Sequence, residues 1–465
     1  MSSSSPDLNS STLIIGAGTW GCSTALHLAR RGYKNVTVLD PYPVPSPISA
    51  GNDINKIVEQ GTPISLPFPP SPLTDNHFNT NPGSFSDGEE GASISETLLQ
   101  LATEGWLTDP IFKPYYHNTG YIICAHTPDG LTQLTKREML DQKADFEWLD
   151  TPAAFRATMP EGVLTGNFPR WKGGFKRTGA GWVFARGALV SAYKEAKRLG
   201  VTFITGAKGG VKELLIENGD VIGAVTNHGK QYRAKTTILA AGANAPQLLD
   251  MKDQLRPTAW TLAHIKMSRE ECKLYKDLPV LFNIESGFFM EPDAEKHELK
   301  ICDEHPGYCN WTVSPSGNKE SIPFAKHQIP LEAETRVRGF LKDTMPQLAS
   351  RPFSFARICW CADTPDRNFL IDRHPEYPSL VLAVGGSGHG FMHITSVGGF
   401  VADTVEGKLD QRLKKAFRWR PETAVGRNWE DVQGRRGGPN KMMDFGNVKE
   451  NEWTHIQERA MGPRL

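Results

Sequence analysis

The strongest constraint on this chain lies between Ser11 and Asp40. Thr12-Leu13-Ile14-Ile15 is a short apolar run of the kind that forms a buried parallel strand. It leads directly into Gly16-Ala17-Gly18-Thr19-Trp20-Gly21, then into a helix-forming segment, residues 22–31, which Gly32 stops. Val36-Thr37-Val38-Leu39-Asp40 is a second strand that ends in an acid. This order of strand, glycine turn, helix, strand and acid describes a dinucleotide-binding unit. Gly16 permits the tight turn, Gly18 lets the backbone approach a pyrophosphate, and Gly21 lets helix and strand pack closely. The helix start, with Thr19 in the turn before it, offers unpaired N–H groups and a partial positive charge to phosphates. Asp40 follows at about 20 residues, the spacing at which an acid meets the ribose hydroxyls. The motif leaves open whether the dinucleotide is FAD or NAD.

At 465 residues the chain calls for two domains. Lys+Arg and Asp+Glu balance at 52 each, which removes any electrostatic case for nucleic acid or an anionic membrane. No run approaches the ~18 uninterrupted apolar residues of a membrane span. Met1 to Ser5 lacks the basic and apolar regions of a signal peptide. Seven cysteines, an odd number without small-scaffold spacing, suit free thiols in a reducing, intracellular compartment. Pro463-Arg464-Leu465 has the shape of a peroxisomal address without being Ser-Lys-Leu, so cytoplasm and peroxisome both stay open.

After Asp40 comes a proline-stiffened connector, 41–45, and then a small polar loop from Ser49 to Lys56. Such a loop can lie along a cofactor or on the plain surface. Residues 63–90 lack hydrophobic periodicity and read as a flexible insertion. A helix is predicted over 93–106 and a strand pair over 115–126, turned at Asn118-Thr119-Gly120. The α/β pattern then resumes. A helix over 188–199 is followed by a strand at 201–204 and a hairpin across Asn218-Gly219 whose first strand starts at Val211. A further strand, 235–239, runs into Gly242. Residues 258–355 read as an antiparallel sheet able to roof a site, 379–384 as a last buried strand, and Gly385 to Gly390 as the opening of a final helix. The dinucleotide domain is therefore expected to be discontinuous, from 10–62, 178–255 and 359–425. A second domain takes 91–177 and 256–358, and 426–465 forms a polar tail.

Three stretches carry the reading further: Gly16 to Gly21 with Asp40, Arg357 to Asp366, and Gly385 to Phe391. Cys359 precedes Thr364-Pro365-Asp366, then a strand, then Ser-Gly-His-Gly-Phe, and this combination resembles the sarcosine oxidase family of flavoproteins. Within it, Gly51-Asn52-Asp53-Ile54-Asn55-Lys56, Phe288-Phe289-Met290-Glu291-Pro292 and Trp419-Arg420-Pro421-Glu422 resemble the fungal fructosyl amino acid and fructosyl peptide oxidases, the amadoriases. The resemblance covers nearly the whole chain apart from 63–90. It implies an α/β fold, an FAD-binding Rossmann-type (glutathione reductase-like) domain with an inserted antiparallel-sheet substrate domain. It implies FAD held covalently by a cysteine thioether at the flavin 8α-methyl. The implied reaction oxidises the C–N bond of a glycated amino acid or dipeptide with O2, giving glucosone, the free amine and hydrogen peroxide. The alternative within the family is a sarcosine- or pipecolate-type amine oxidase.

Residue by residue, Cys359 is the expected flavin attachment point, since a thiolate is the nucleophile such a bond needs. Cys361 is its competitor, on the same face of an extended segment. Zinc is disfavoured, because Cys302, Cys309, Cys359 and Cys361 include no CxxC pair. Lys300 reads on its own as a solvent lysine, whereas the resemblance implies a catalytic charge beside the flavin that stabilises superoxide as O2 is reduced. Lys56 matches the basic residue on the flavin's other side and would stabilise the reduced flavin. Glu291 and Arg420 match the amadoriase substrate clamp, with Arg418 as an alternative to Arg420; without the resemblance each reads as a surface ion pair. Ser49, Val211, Gly242, Gly388 and His389 join the expected cofactor contacts, the last two at a helix start near the flavin pyrimidine. Met392 stands where sarcosine oxidase carries a carboxylate-binding lysine, which argues for a bulkier substrate than sarcosine. A monomer is expected, as no exposed apolar stripe is evident.

Overall fold

The computed structural model describes residues 6–60, 89–140, 146–304, 307–313, 317, 319–427, 429 and 442–456. Two large sheets organise them. The first has six strands in the order Leu370–Arg373, Leu380–Val384, Thr236–Leu239, Ser11–Ile15, Asn35–Asp40, Thr202–Thr205. All neighbours run parallel except Leu370–Arg373, which closes one edge antiparallel to Leu380–Val384. Ile14, Val38, Ile238 and Val381 are fully buried, as strands covered on both faces require, and each side chain of that size contributes about 1.5–3 kcal/mol by leaving water.

The chain leaves Ser11–Ile15 to one side for Asn35–Asp40 and returns on the other as Thr236–Leu239. The carboxyl end of Ser11–Ile15 is thus a topological switch point, where open α/β sheets bind ligands. The helix Thr19–Arg30 begins there and packs on the helices Ala185–Arg198 and Val397–Glu406. A Cβ on Gly398 would lie 2.2 Å from Ser23 O, so glycine sets how closely the two helices approach.

The second sheet has ten strands. Its spine is Arg256–Lys266, paired antiparallel with Phe353–Asp363 on one side and Glu298–Cys302 on the other. Gly287–Phe289 and Val280–Asn283 follow outward. The expected antiparallel sheet forms, with one difference: Val280–Asn283 runs parallel to Tyr121–Ala125 and so draws the earlier segment into it.

Other expectations need correction. The strand pair predicted over 115–126 does not pair with itself. Tyr116–His117 joins Ala180–Val183, while Tyr121–Ala125 joins Lys172–Lys176, because both halves find longer partners elsewhere. Gly385 to Gly390 does not open a helix; the chain turns through these residues and the helix starts at Val397. The tail is not merely polar. Met443–Asp444 adds a strand beside Tyr308–Cys309, Phe445 stacks on Tyr308 at 4.6 Å, and Trp453 is buried. The insertion at 63–90 lies outside the described residues except for Glu89 and Glu90, which open the helix Glu89–Thr108, and Pro463-Arg464-Leu465 lies outside them too. Among the described residues, no helix is long and apolar enough to cross a membrane.

Candidate active site

The glycine turn has the form its sequence predicts. Gly16 has φ +106°, and a Cβ there would lie 2.5 Å from Ala240 O; a Cβ on Gly21 would lie 1.8 Å from Gly16 O. Gly18 meets only Ser49 Oγ, at 3.6 Å, so its face stays open. The helix that follows has Gly18 at its N-cap and no side-chain cap, which leaves first-turn N–H groups for an anion. Asp40 accepts from the Ala17 N–H at 2.7 Å and the Tyr42 N–H at 2.9 Å, and burial outweighs these bonds to raise its pKa. Its remaining lone pairs are available for ribose hydroxyls. Gly242, with φ +55°, follows the strand Thr236–Leu239, whose continuation at Ala240 lies against Gly16. Val211 opens a strand at the edge of the same apolar core.

The loop from Ser49 to Lys56 connects this turn to the second sheet. Thr19 Oγ1 is 2.6 Å from where a Gly51 Cβ would be. Asp53 is anchored through its backbone, its carbonyl accepting from the Arg186 N–H at 2.9 Å. Its carboxylate is 2% exposed, and one oxygen, Oδ2, receives both Lys300 Nζ and Lys56 Nζ at 2.9 Å. Lys300 is 1% exposed and also donates to Asn55 O at 2.7 Å. The solvent-lysine alternative for Lys300 is therefore excluded. Burial alone would raise the Asp53 pKa, but the charges of Lys300, Lys56 and Arg357 hold it well below the usual carboxylate range. Burial alone would lower the Lys56 pKa, but Asp53 raises it instead.

Strand register explains how these groups meet. Leu262 lies opposite both Cys302 and Arg357, and Cys302 lies opposite Phe288. Side chains opposite one another share a face, as do residues two apart. Lys300, Cys302, Leu262, Arg357 and Cys359 therefore share one face, and Cys359 packs with Leu262, Cys302, Phe355, Ala50 and Phe288. Burial pushes the Cys302 thiol up to about 12. Arg357 donates through Nη1 to Ser49 O at 3.1 Å and Pro47 O at 3.3 Å.

Comparison with known proteins shows the family. The family described as DAO, FAD dependent oxidoreductase, matches residues 11–404. The crystal structure of the deglycating enzyme fructosamine oxidase (Amadoriase II) from Aspergillus fumigatus is 55% identical, with a TM-score of 0.90 over 97% of this chain and 99% of that one. Fructosyl peptide oxidase from E. terrenum is 31% identical, with a TM-score of 0.80 over 97% and 99%. L-saccharopine oxidase of Schizosaccharomyces pombe is 29% identical over 88% of this chain and 93% of its own. The chain belongs to the amadoriases, within the FAD-dependent oxidoreductases. An FAD-dependent enzyme needs polar groups that await the cofactor, and this amadoriase has them: Asn55 Oδ1 and Arg357 Nη2 are buried without a hydrogen-bond partner, and the first helical turn is uncapped.

Arg420 and Glu291, expected to clamp the substrate, each have partners within the protein. Arg420 is 2% exposed and all five of its N–H donors are occupied. Nε and Nη2 hold Asp366 at 2.8 Å each, Nη2 also reaches Asn368 O, and Nη1 bonds Phe369 O and Arg418 O. No donor remains for a substrate carboxylate. Arg418 is exposed and paired with Glu422. Glu291 turns its carboxylate to the Asp277 N–H at 2.9 Å, and burial raises its pKa. Gly388 and His389 lie in the turn over the first helix, where the His389 ring stacks on Phe369. Arg420→Ala is therefore expected to destabilise the fold by about 2–4 kcal/mol, because it empties a buried position and takes the charge partner from half-buried Asp366. Urea unfolding measures this; an unchanged midpoint with a raised KM would restore the clamp.

Three residues of the cluster escaped sequence reasoning. Asp53 and Asn55 stood in the recognised loop, but only its lysine was singled out. Arg357 carried a usable signal: a charge in the middle of a mostly apolar strand, two residues before Cys359 and so on its face.

Proposed function

We propose that this amadoriase oxidises the secondary amine of fructosyl amino acids or short fructosyl peptides with O2 and releases hydrogen peroxide. The observation that carries the reading is the cluster of buried Lys300 and Asp53 with half-buried Lys56, beside the face that presents Cys359. FAD, when bound, takes a hydride equivalent from the C–H beside the substrate's amine nitrogen, turning C–N into C=N, and passes the two electrons to O2, which with two protons leaves as hydrogen peroxide. The uncapped turn at Gly18 and Thr19 holds the pyrophosphate, and Asp40 the ribose. Cys359 supplies the sulfur of the thioether at the flavin 8α-methyl. Lys300 keeps one N–H free of its two bonds and places a fixed positive charge where oxygen gains negative charge. Lys56 does the same for the reduced cofactor.

The fructosamine oxidase and fructosyl peptide oxidase similarities support a glycated substrate. Met392 supports it from this chain: its side chain packs on the apolar core and its carbonyl accepts from Trp106 Nε1, so it offers no charge to a small carboxylate. Losing that bond costs sarcosine about 1.5–3 kcal/mol. With purified enzyme, peroxide is expected with fructosyl-valine or a fructosyl dipeptide and hardly at all with sarcosine. Equal turnover of sarcosine would return the protein to the sarcosine- or pipecolate-type alternative. The saccharopine oxidase similarity makes L-saccharopine, another secondary amine, the second compound to assay.

A further inference from the structure

Asp53 meets two ammonium groups through one oxygen. Lys56 Nζ and Lys300 Nζ each lie 2.9 Å from Oδ2, so the two nitrogens are no more than twice that distance apart. Two unit charges that close, in a site where Lys300 and Asp53 are almost wholly buried, repel strongly. Arg357 adds a third cation facing the same carboxylate. The other groups facing the cluster are the Cys302 and Cys359 thiols and the carbonyl of Asn55. Asp53 is thus the one anion identified among three cations, and it leaves a net charge of two. Its second oxygen accepts from the Ile54 N–H at 2.9 Å, and its backbone is pinned by Arg186, so its position does not depend on the lysines.

We propose that Asp53 is a positioning residue for oxygen chemistry: it holds Lys56 and Lys300 side by side on one oxygen and sets the positive charge that the flavin and oxygen experience. The inference rests on the reading that the two lysines border the flavin together, on the side where Asp53 joins them. Asp53→Asn keeps the shape and removes the anion. The three cations then have no counter-charge, and one lysine must release its proton within the working pH range. The variant gains a titration that the wild type lacks.

The test uses flavin-loaded protein and sulfite, which adds to oxidised flavin and leaves it negatively charged. Dissociation constants for wild type and Asp53→Asn are measured by absorbance at matched pH from roughly 6 to 9, where their ratio cancels sulfite's own ionisation. At the acid end Asp53→Asn is expected to bind sulfite roughly tenfold more tightly, and the ratio should approach one as pH rises and a lysine deprotonates. A merely structural role would not tighten binding in this way, and a ratio that stays within about twofold of one at every pH overturns the proposal. Asp53→Asn with Lys56→Met restores the net charge and should bind sulfite as the wild type does. If Asp53→Asn alone fails to take up flavin, this double variant is expected to regain it; failure of both overturns the proposal. Lys56→Met and Lys300→Met in the presence of Asp53 should each weaken sulfite binding. If neither does, the lysines do not border the flavin, and the underlying reading fails independently of Asp53.

Discussion

Lys300→Met is expected to slow reoxidation of the reduced enzyme by O2 by roughly two to three orders of magnitude, equivalent to about 2.7–4 kcal/mol of lost electrostatic stabilisation. The substitution keeps most of the side-chain volume and removes one charge. That charge is effective because it is fixed and dry: Lys300 is 1% exposed, tied to Asp53 and to Asn55 O, with the Phe288 ring 5.7 Å from its Nζ. A pre-set ammonium stabilises negative charge developing on oxygen without reorganising, whereas water would have to reorient. Lys56 stays on Asp53 in the variant, so the carboxylate is not stranded. Anaerobic reduction by a fructosyl amino acid should change much less, because that step builds no charge on oxygen. Stopped-flow mixing of the pre-reduced protein with oxygenated buffer measures the effect. A reoxidation rate equal to wild type would show that Lys300 is structural.

The same lysine shows where sequence reading stops. Alternation along Glu298–Cys302 says which way Lys300 points but not what covers that face. The cover is a loop more than 240 residues away, which follows Asn35–Asp40 of the first sheet and ends in Lys56–Glu59, paired with Ala180–Val183. Local features were legible because local physics fixes them: the glycine turn, the strand before it, the acid after it and the Asn218-Gly219 hairpin, where both residues have positive φ. The Gly385 to Gly390 turn was misread as a helix start because it resembles the first glycine turn locally, whereas the chain keeps turning through 391–396 before the helix begins at Val397. The surroundings of Arg420 were hidden for a different reason. The residues that occupy its donors, Asp366 and the carbonyls of Asn368 and Phe369, lie some fifty residues earlier, and no spacing rule connects them. Phe445 and Trp453 were missed because single buried aromatics in a polar segment create no period.

Cys359→Ala is expected to abolish covalent attachment of the flavin altogether, and Cys361→Ala to preserve it. Both thiols lie on the strand Phe353–Asp363 and, being two residues apart, on the same face. What separates them is the neighbourhood at each register position. Cys359 stands opposite Trp260 and packs with Leu262, Cys302 and Phe355 against Ala50 of the cofactor loop and Phe288. The positive charge of Lys56 interacts with it electrostatically. Cys361 stands opposite Thr258, one step further toward the Thr364-Pro365-Asp366 turn and outside that cluster. A flavin ring seated beside the Ser49 to Lys56 loop, against the sheet face that carries Lys300, meets Cys359 first. Forming the thioether requires the sulfur to attack a cofactor already held in place, so a thiol one pleat further along cannot substitute without sliding the ring away from Lys300. Precipitation with acid separates the outcomes: the wild type and Cys361→Ala should give a yellow pellet, and Cys359→Ala a colourless pellet with yellow supernatant. Mass spectrometry of the flavin-bearing peptide then assigns the sulfur, and finding the flavin on Cys361 would overturn the assignment.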